Sequence, residues 1–113
     1  MVPDDAVVRN ITGGFEVRVP GPIGPVVLMS ETFRYSPYSG EHCVRHWFDG
    51  QGVLHRPEQD GPAIQDDYFW KYFKHGKVHR NRGPAFFTAL KENRYFIEGL
   101  EIPHQAWATL IGK

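Results

Sequence analysis

Six histidines, one cysteine and two Asp-Asp pairs are the residues of this 113-residue chain whose types and spacing could do chemistry. His42 and His46 stand four apart with Cys43 between them, and His75 and His79 share that spacing. On a helix it would turn two imidazoles toward one metal ion. Both segments read as strand and turn, where the rings do not converge, and neither Cys-x-x-Cys nor His-Glu-x-x-His occurs. No metal is expected. A Cys43 thiolate activated by His42 or His46 would make a nucleophile. Neighbours in a strand point to opposite faces, however, and nothing suggests an oxyanion hole, so Cys43 reads as a shielded structural residue. By the same alternation Asp4-Asp5 and Asp66-Asp67 place their carboxylates apart. No phosphate-binding glycine loop with its lysine is present. The expectation is a protein without catalytic residues or cofactors.

Binding chemistry has better material. The net charge is zero, with 13 basic and 13 acidic residues, which removes the usual electrostatic signature of a dedicated nucleic-acid binder. Yet residues 41–70 carry six acids and two bases, and 71–94 carry seven bases and one acid. The segment 71–82 interleaves Lys71, Lys74, Lys77, Arg80 and Arg82 with Tyr72 and Phe73, a pattern suited to single-stranded nucleic acid. Charge compensation between neighbouring strands is the preferred reading. Aromatic doublets, namely Trp47-Phe48, Phe69-Trp70, Tyr72-Phe73, Phe86-Phe87 and Tyr95-Phe96, would put one ring on each face of a sheet. One face is core. The other needs covering by the chain itself, by a second copy or by a partner. The candidate binding residues are Trp47, Trp70, Tyr72, Lys74, Lys77, Arg80 and Arg82.

The elements that must position these residues are strands. Twelve glycines and nine prolines fall at short intervals between apolar runs, the spacing of an all-β chain with tight turns. Residues 6–19 read as a hairpin in which Gly13-Gly14 supplies positive φ at both turn positions. Pro20, Pro22 and Pro25 exclude a central strand there. Further strands are expected near 26–29, 43–48, 62–65, 68–74, 84–89 and 94–98. Pro103 as first helical residue, then Ala106, Trp107, Leu110 and Ile111 before Gly112, predict a helix over 103–111. Such a short helix should dock on the last strands, over their edge or over one face. The division is 6–40, 46–102 and 103–111 within one domain of radius about 13 Å. No apolar run approaches a membrane span, and an acidic start, Met1 to Asp5, is unlike a secretory signal. With a single cysteine, a soluble cytoplasmic protein is expected.

Self-comparison reveals a repeat. Gly52-Val53-Leu54-His55-Arg56 followed by Gly61-Pro62-Ala63-Ile64 matches Gly76-Lys77-Val78-His79-Arg80 followed by Gly83-Pro84-Ala85-Phe86. Each is preceded by aromatics, and a third copy begins at Tyr95-Phe96-Ile97-Glu98-Gly99, then departs into the predicted helix. A terminal unit that changes character is how a stacked array ends. Repeated residues are best read as a repeated structural solution, so His55, Arg56, His79 and Arg80 are assigned to structure. The pattern over about 46–104 resembles the short β-hairpin repeats related to MORN-variant repeats, found in bacterial, phage and large-virus proteins. The resemblance implies a repetitive antiparallel sheet; with the hairpin and helix read from the residues, the expected fold is mainly β, an antiparallel meander of short hairpin repeats with an N-terminal hairpin and one short C-terminal helix. The resemblance also implies an interaction role without assigned activity. The expected function is a protein-binding module, in its specific form a phage-encoded inhibitor that occludes a host defence protein in the host cytoplasm. The alternative is a nucleotide or single-stranded nucleic-acid binder using 71–82.

Overall fold

A computed structural model describes residues 4–37 and 40–111. The strands are β1 (Val7–Ile11), β2 (Gly14–Val19), β3 (Val26–Ser36), β4 (Gly40–Trp47), β5 (Ile64–Gln65), β6 (Phe69–Lys71), β7 (Phe73–Lys74), β8 (Lys77–Val78), β9 (Phe86–Thr88), β10 (Asn93–Ile97) and β11 (Leu100–Ile102). One helix, α1 (His104–Leu110), follows. The protein is mainly β, with an N-terminal hairpin and a single C-terminal helix. Nine strands form one antiparallel sheet in the order β1-β2-β3-β4-β5-β6-β9-β10-β11, and β7 pairs with β8 beside it.

Turn chemistry explains the hairpins and corrects one expectation. The first turn is Thr12-Gly13, not Gly13-Gly14: Ile11 pairs with Gly14, and only Gly13 has positive φ. Gly14 is needed for another reason. A Cβ there would lie 1.9 Å from the Glu31 carbonyl oxygen across the β2–β3 ladder. The strand that begins at Val26 runs on to Ser36 and ends at the Pro37 turn. The predicted strand 68–74 is split at Tyr72, and the helix begins one residue after Pro103, which takes the cap position in extended conformation. Gly112, the expected helix stop, lies outside the described residues.

The repeat is a physical unit. Its leading strand (the end of β4, then β6–β7, then β10) pairs along its first half with β5 or β9 and along its second half with a hairpin return, Leu54, β8 or β11. Between return and next strand the chain swings out of the plane, over 57–62 and 81–84, and re-enters at an alanine. Trp47 and Tyr72 donate their backbone N–H to the carbonyls of Ala63 and Ala85 at 2.8 and 2.7 Å. Both alanines are fully buried, since any larger side chain would collide with the loop above.

The register aligns His46, Ile64, Lys71, Phe86 and Arg94 in one row across the sheet. Trp47, Tyr72 and Tyr95 therefore lie on the opposite face. Loops and helix all pack on that second face. No described strand or helix lies over the first, although Val44 on it is only 3% exposed. The molecule measures 43 × 39 × 20 Å with a radius of gyration of 15.6 Å, larger than the roughly 13 Å of a compact chain of this length. One sheet does not make two packed layers, and no large side chain among the described residues is fully buried.

Candidate interaction surface

On the covered face each leading aromatic lies under a cation. The Arg56 guanidinium sits 3.8 Å from the Trp47 ring centroid and that of Arg80 4.1 Å from Tyr72. Each arginine also donates from Nη1 to a proline carbonyl, Pro62 or Pro84, at 3.2 and 3.3 Å. Gly61 and Gly83 leave room for it, since a Cβ would stand 2.9 and 3.2 Å from the guanidinium. Burial holds Arg56 below the usual guanidinium range. In the third copy Tyr95 is met instead by Trp107 and His104 of α1, at 4.9 and 5.0 Å, and Trp107 Nε1 donates to the Asn81 carbonyl. The helix takes the arginine's place and covers a face, not the sheet edge.

The histidines join one repeat to the next. His55 Nδ1 accepts the His75 backbone N–H at 3.0 Å, and His79 Nδ1 accepts that of Glu98 at 2.9 Å. Both donors sit in left-handed conformation, φ 46° and 50°, which aims their N–H back at the preceding copy. Backbone bonds repeat alongside: Arg56 N–H to the Phe73 carbonyl and Arg80 N–H to that of Phe96, Gly76 N–H to Leu54 and Gly99 N–H to Val78. Glu58 adds a link between copies, accepting from the backbone N–H of Asn81 and Arg82.

The sequence-derived candidates lie as follows. Tyr72 is 8% exposed beneath Arg80 and offers no ring to a partner; Trp47 and Arg80 are engaged in the same stacks. Trp70, half-buried on that face, stacks on Phe87 at 5.1 Å. Lys74 is exposed and reaches Glu98 at 3.5 Å, while Lys77 and Arg82 are exposed on the hairpin and the loop. The segment 71–82 is therefore not one strip: Lys71 is on the open face, Tyr72 on the covered one.

The open-face rings were missed among the candidates: Phe48, Phe73 and Phe96 are second members of their doublets, and Phe69 and Phe86 are first members. Phe48, Phe73 and Phe96 alternate with the capped rings, and Phe69 and Phe86 lie on the same side. All five are half-buried. Lys71 Nζ is 5.4 Å from the Phe86 centroid, and the Arg94 guanidinium is 5.5 Å from Phe96. Arg94 is held by both carboxylate oxygens of Glu101 at 2.7 Å. The result is a sheet face of half-buried phenylalanines with Lys71 and the Arg94–Glu101 ion pair beside them.

Groups able to do chemistry are satisfied elsewhere. Buried Asp66 accepts from His42 Nδ1 at 2.9 Å and from the Tyr68 N–H, pinning the β5–β6 turn to β4. Burial, then the Glu31 charge, pushes the Cys43 thiol up, away from the thiolate a nucleophile needs. Hydrogen bonds from His75 and from the Val53 and Gln51 N–H groups outweigh burial and hold Asp49 below the usual carboxylate range. Among the described residues no group of three or more His, Cys, Asp or Glu could hold a metal ion, and no helix is long and apolar enough to cross a membrane. Compared with family models, curated proteins and solved structures, the chain matches none.

Proposed function

We propose that this protein is a non-enzymatic binding module that lays the open face of its sheet against a protein partner. One observation carries the reading: five phenylalanines, with Lys71 and Arg94 among them, share a face over which no described element packs. A contiguous apolar patch rimmed by polar groups marks an interaction site. Aromatic and arginine side chains are the residues that dominate such contacts. The finer form, a phage-encoded inhibitor that occludes a host defence protein, draws its support from the resemblance of the repeats. The test uses wild type, Phe86→Ser and Lys71→Glu as parallel baits in host lysate. A protein retained by wild type and lost by both variants, with their melting temperatures within a few degrees of wild type, supports the reading. Equal capture by all three overturns it.

A single-stranded nucleic acid is the second reading, favoured by Lys71 and Arg94 flanking Phe86. It predicts an affinity that drops steeply with salt and weakens on Phe86→Ala. The burial of Tyr72 and the splitting of 71–82 between faces count against it. No such complex is expected at physiological salt.

A further inference from the structure

The two ends of the sheet are built differently. At the C-terminal end two of the groups that join one copy to the next are missing. Ile102 stands where His55 and His79 accept an N–H, and Pro103, which has no N–H, stands where Arg56 and Arg80 donate one. That edge is blunted, with Glu101 alone turning its backbone groups outward before the proline. The β1 edge carries no such device. It has no proline or lysine, and Val7 and Val8 are 62% and 65% exposed. Val7, Val8, Val19 and Pro20 line an apolar cleft along it, together with Arg9 and Arg18.

The direction of the free backbone groups follows from the hairpin. Phe33 N–H bonds to the Gly13 carbonyl, so Gly14 and Thr32 are a non-hydrogen-bonded pair and Gly14 turns its own groups toward Ile11. Ile11, Arg9 and Val7 then bond to β2, and Asn10 and Val8 face outward, with Ala6 joining them when the Asp4-Asp5 turn opens. Water satisfies such groups in the single chain, and another strand can replace it.

We propose that β1 is a self-association edge and that its occupant is β1 of a second copy, antiparallel, in the register centred on Val7. The chain's own charges select that register. Pairing centred on Arg9 sets two guanidiniums opposite each other, which is unfavourable. Pairing centred on Val7, with the Asp4-Asp5 turn opened into the strand, sets Asp5 opposite Arg9 of the second copy, twice by symmetry. Arg9 then lies between that carboxylate and its own Glu16, already 3.8 Å away. Ala6 and Val8 exchange about four backbone hydrogen bonds with the second copy, and the exposed valines meet across the axis. The contact is isologous and closes at two copies, because it uses up the β1 edge of each. Its two-fold axis stands perpendicular to the sheet, which puts the open faces of both copies on one side. This association stands independently of what the open face binds.

Sedimentation equilibrium of the intact chain tests it. Wild type is expected to dimerise, and Asp5→Lys and Arg9→Glu alone to associate at least about tenfold more weakly. An equimolar mixture of the two is expected to dimerise again. The introduced lysine of one chain would then face the introduced glutamate of the other, while a native Asp5–Arg9 pair forms at the second position. Val8→Pro removes an outward donor while sparing the β1–β2 ladder and is expected to be monomeric. A wild type that stays monomeric at about 1 mM overturns the proposal. So does a dimer unaffected by either charge reversal, or a mixture that fails to restore it.

Discussion

Arg80 shows what a single side chain contributes here. It lies flat on Tyr72, donates to the Pro84 carbonyl and stands 3.7 Å from Glu58, with Nε buried and without a hydrogen bond. Removing it to alanine forfeits a partly desolvated cation–π contact and strands a carbonyl under the loop; a loss of about 2 kcal/mol is expected. Arg80→Lys keeps the charge but not the planar fork, and urea denaturation should show it recovering less than half. A lysine variant as stable as wild type would mean that charge alone suffices. The His55 link titrates. Burial first, then the charge of His75, stacked at 3.9 Å, lowers the pKa of His55. The unfolded chain therefore binds that proton near pH 6.5 and the folded chain only at lower pH. Stability from this link is complete above about pH 6.5 and is lost as pH falls through the folded value. Melting temperature should decline on acidification below that point, and His55→Asn should flatten the decline if its amide oxygen replaces Nδ1.

The hairpin copies are the elements on which legibility turned. His-Arg and Gly-Pro-Ala could be read because each residue type solves a local problem at a fixed spacing: a flat cation over a ring, a loop re-entry under it, an alanine with no room beyond Cβ. Ala85→Leu should accordingly overpack its site and cost about 1–3 kcal/mol by thermal unfolding, with Ala63→Leu alike. What was not legible joins elements. Glu58 reaches the Asn81 and Arg82 N–H groups, and His55 and His79 reach left-handed residues of the following copy. The histidines recur in the repeat, but their partners leave no trace, because each donor is a backbone group in the following copy. Glycine pairs misled for a related reason: Gly14 is required by the approach of β3, not by the turn beside it. The doublets were legible as two-faced, but which ring would be covered depends on where the 57–62 and 81–84 loops swing, and no spacing encodes that. Exposed Tyr72 was thus expected where a buried one occurs.

At the scale of the whole molecule, a single sheet without a second layer has its stability distributed along a line. Each copy touches its neighbours and little else, so local openings should follow position in the array. The second copy is flanked on both sides. Its Tyr72 and His79 N–H groups bond within it, its Gly76 N–H reaches the first, and its Asn81 carbonyl receives Trp107. The third has a blunted edge and depends on α1 to cover Tyr95. Hydrogen exchange should therefore be slowest at Tyr72, Gly76 and His79 and faster over 95–102. A chain ending at Pro103 sharpens the contrast. It loses Trp107, half-buried and worth about 1–3 kcal/mol at that exposure, yet it bares no fresh sheet edge, since α1 covers a face and Pro103 still stands at the edge. Protection should collapse over 93–102 while the first two copies keep theirs, and the truncated chain should stay soluble. If instead all protection falls together, the sheet folds as one cooperative body and the copies are not separable units. If protection over 93–102 is unchanged, α1 contributes nothing to Tyr95, and its apolar side would be a docking surface in its own right.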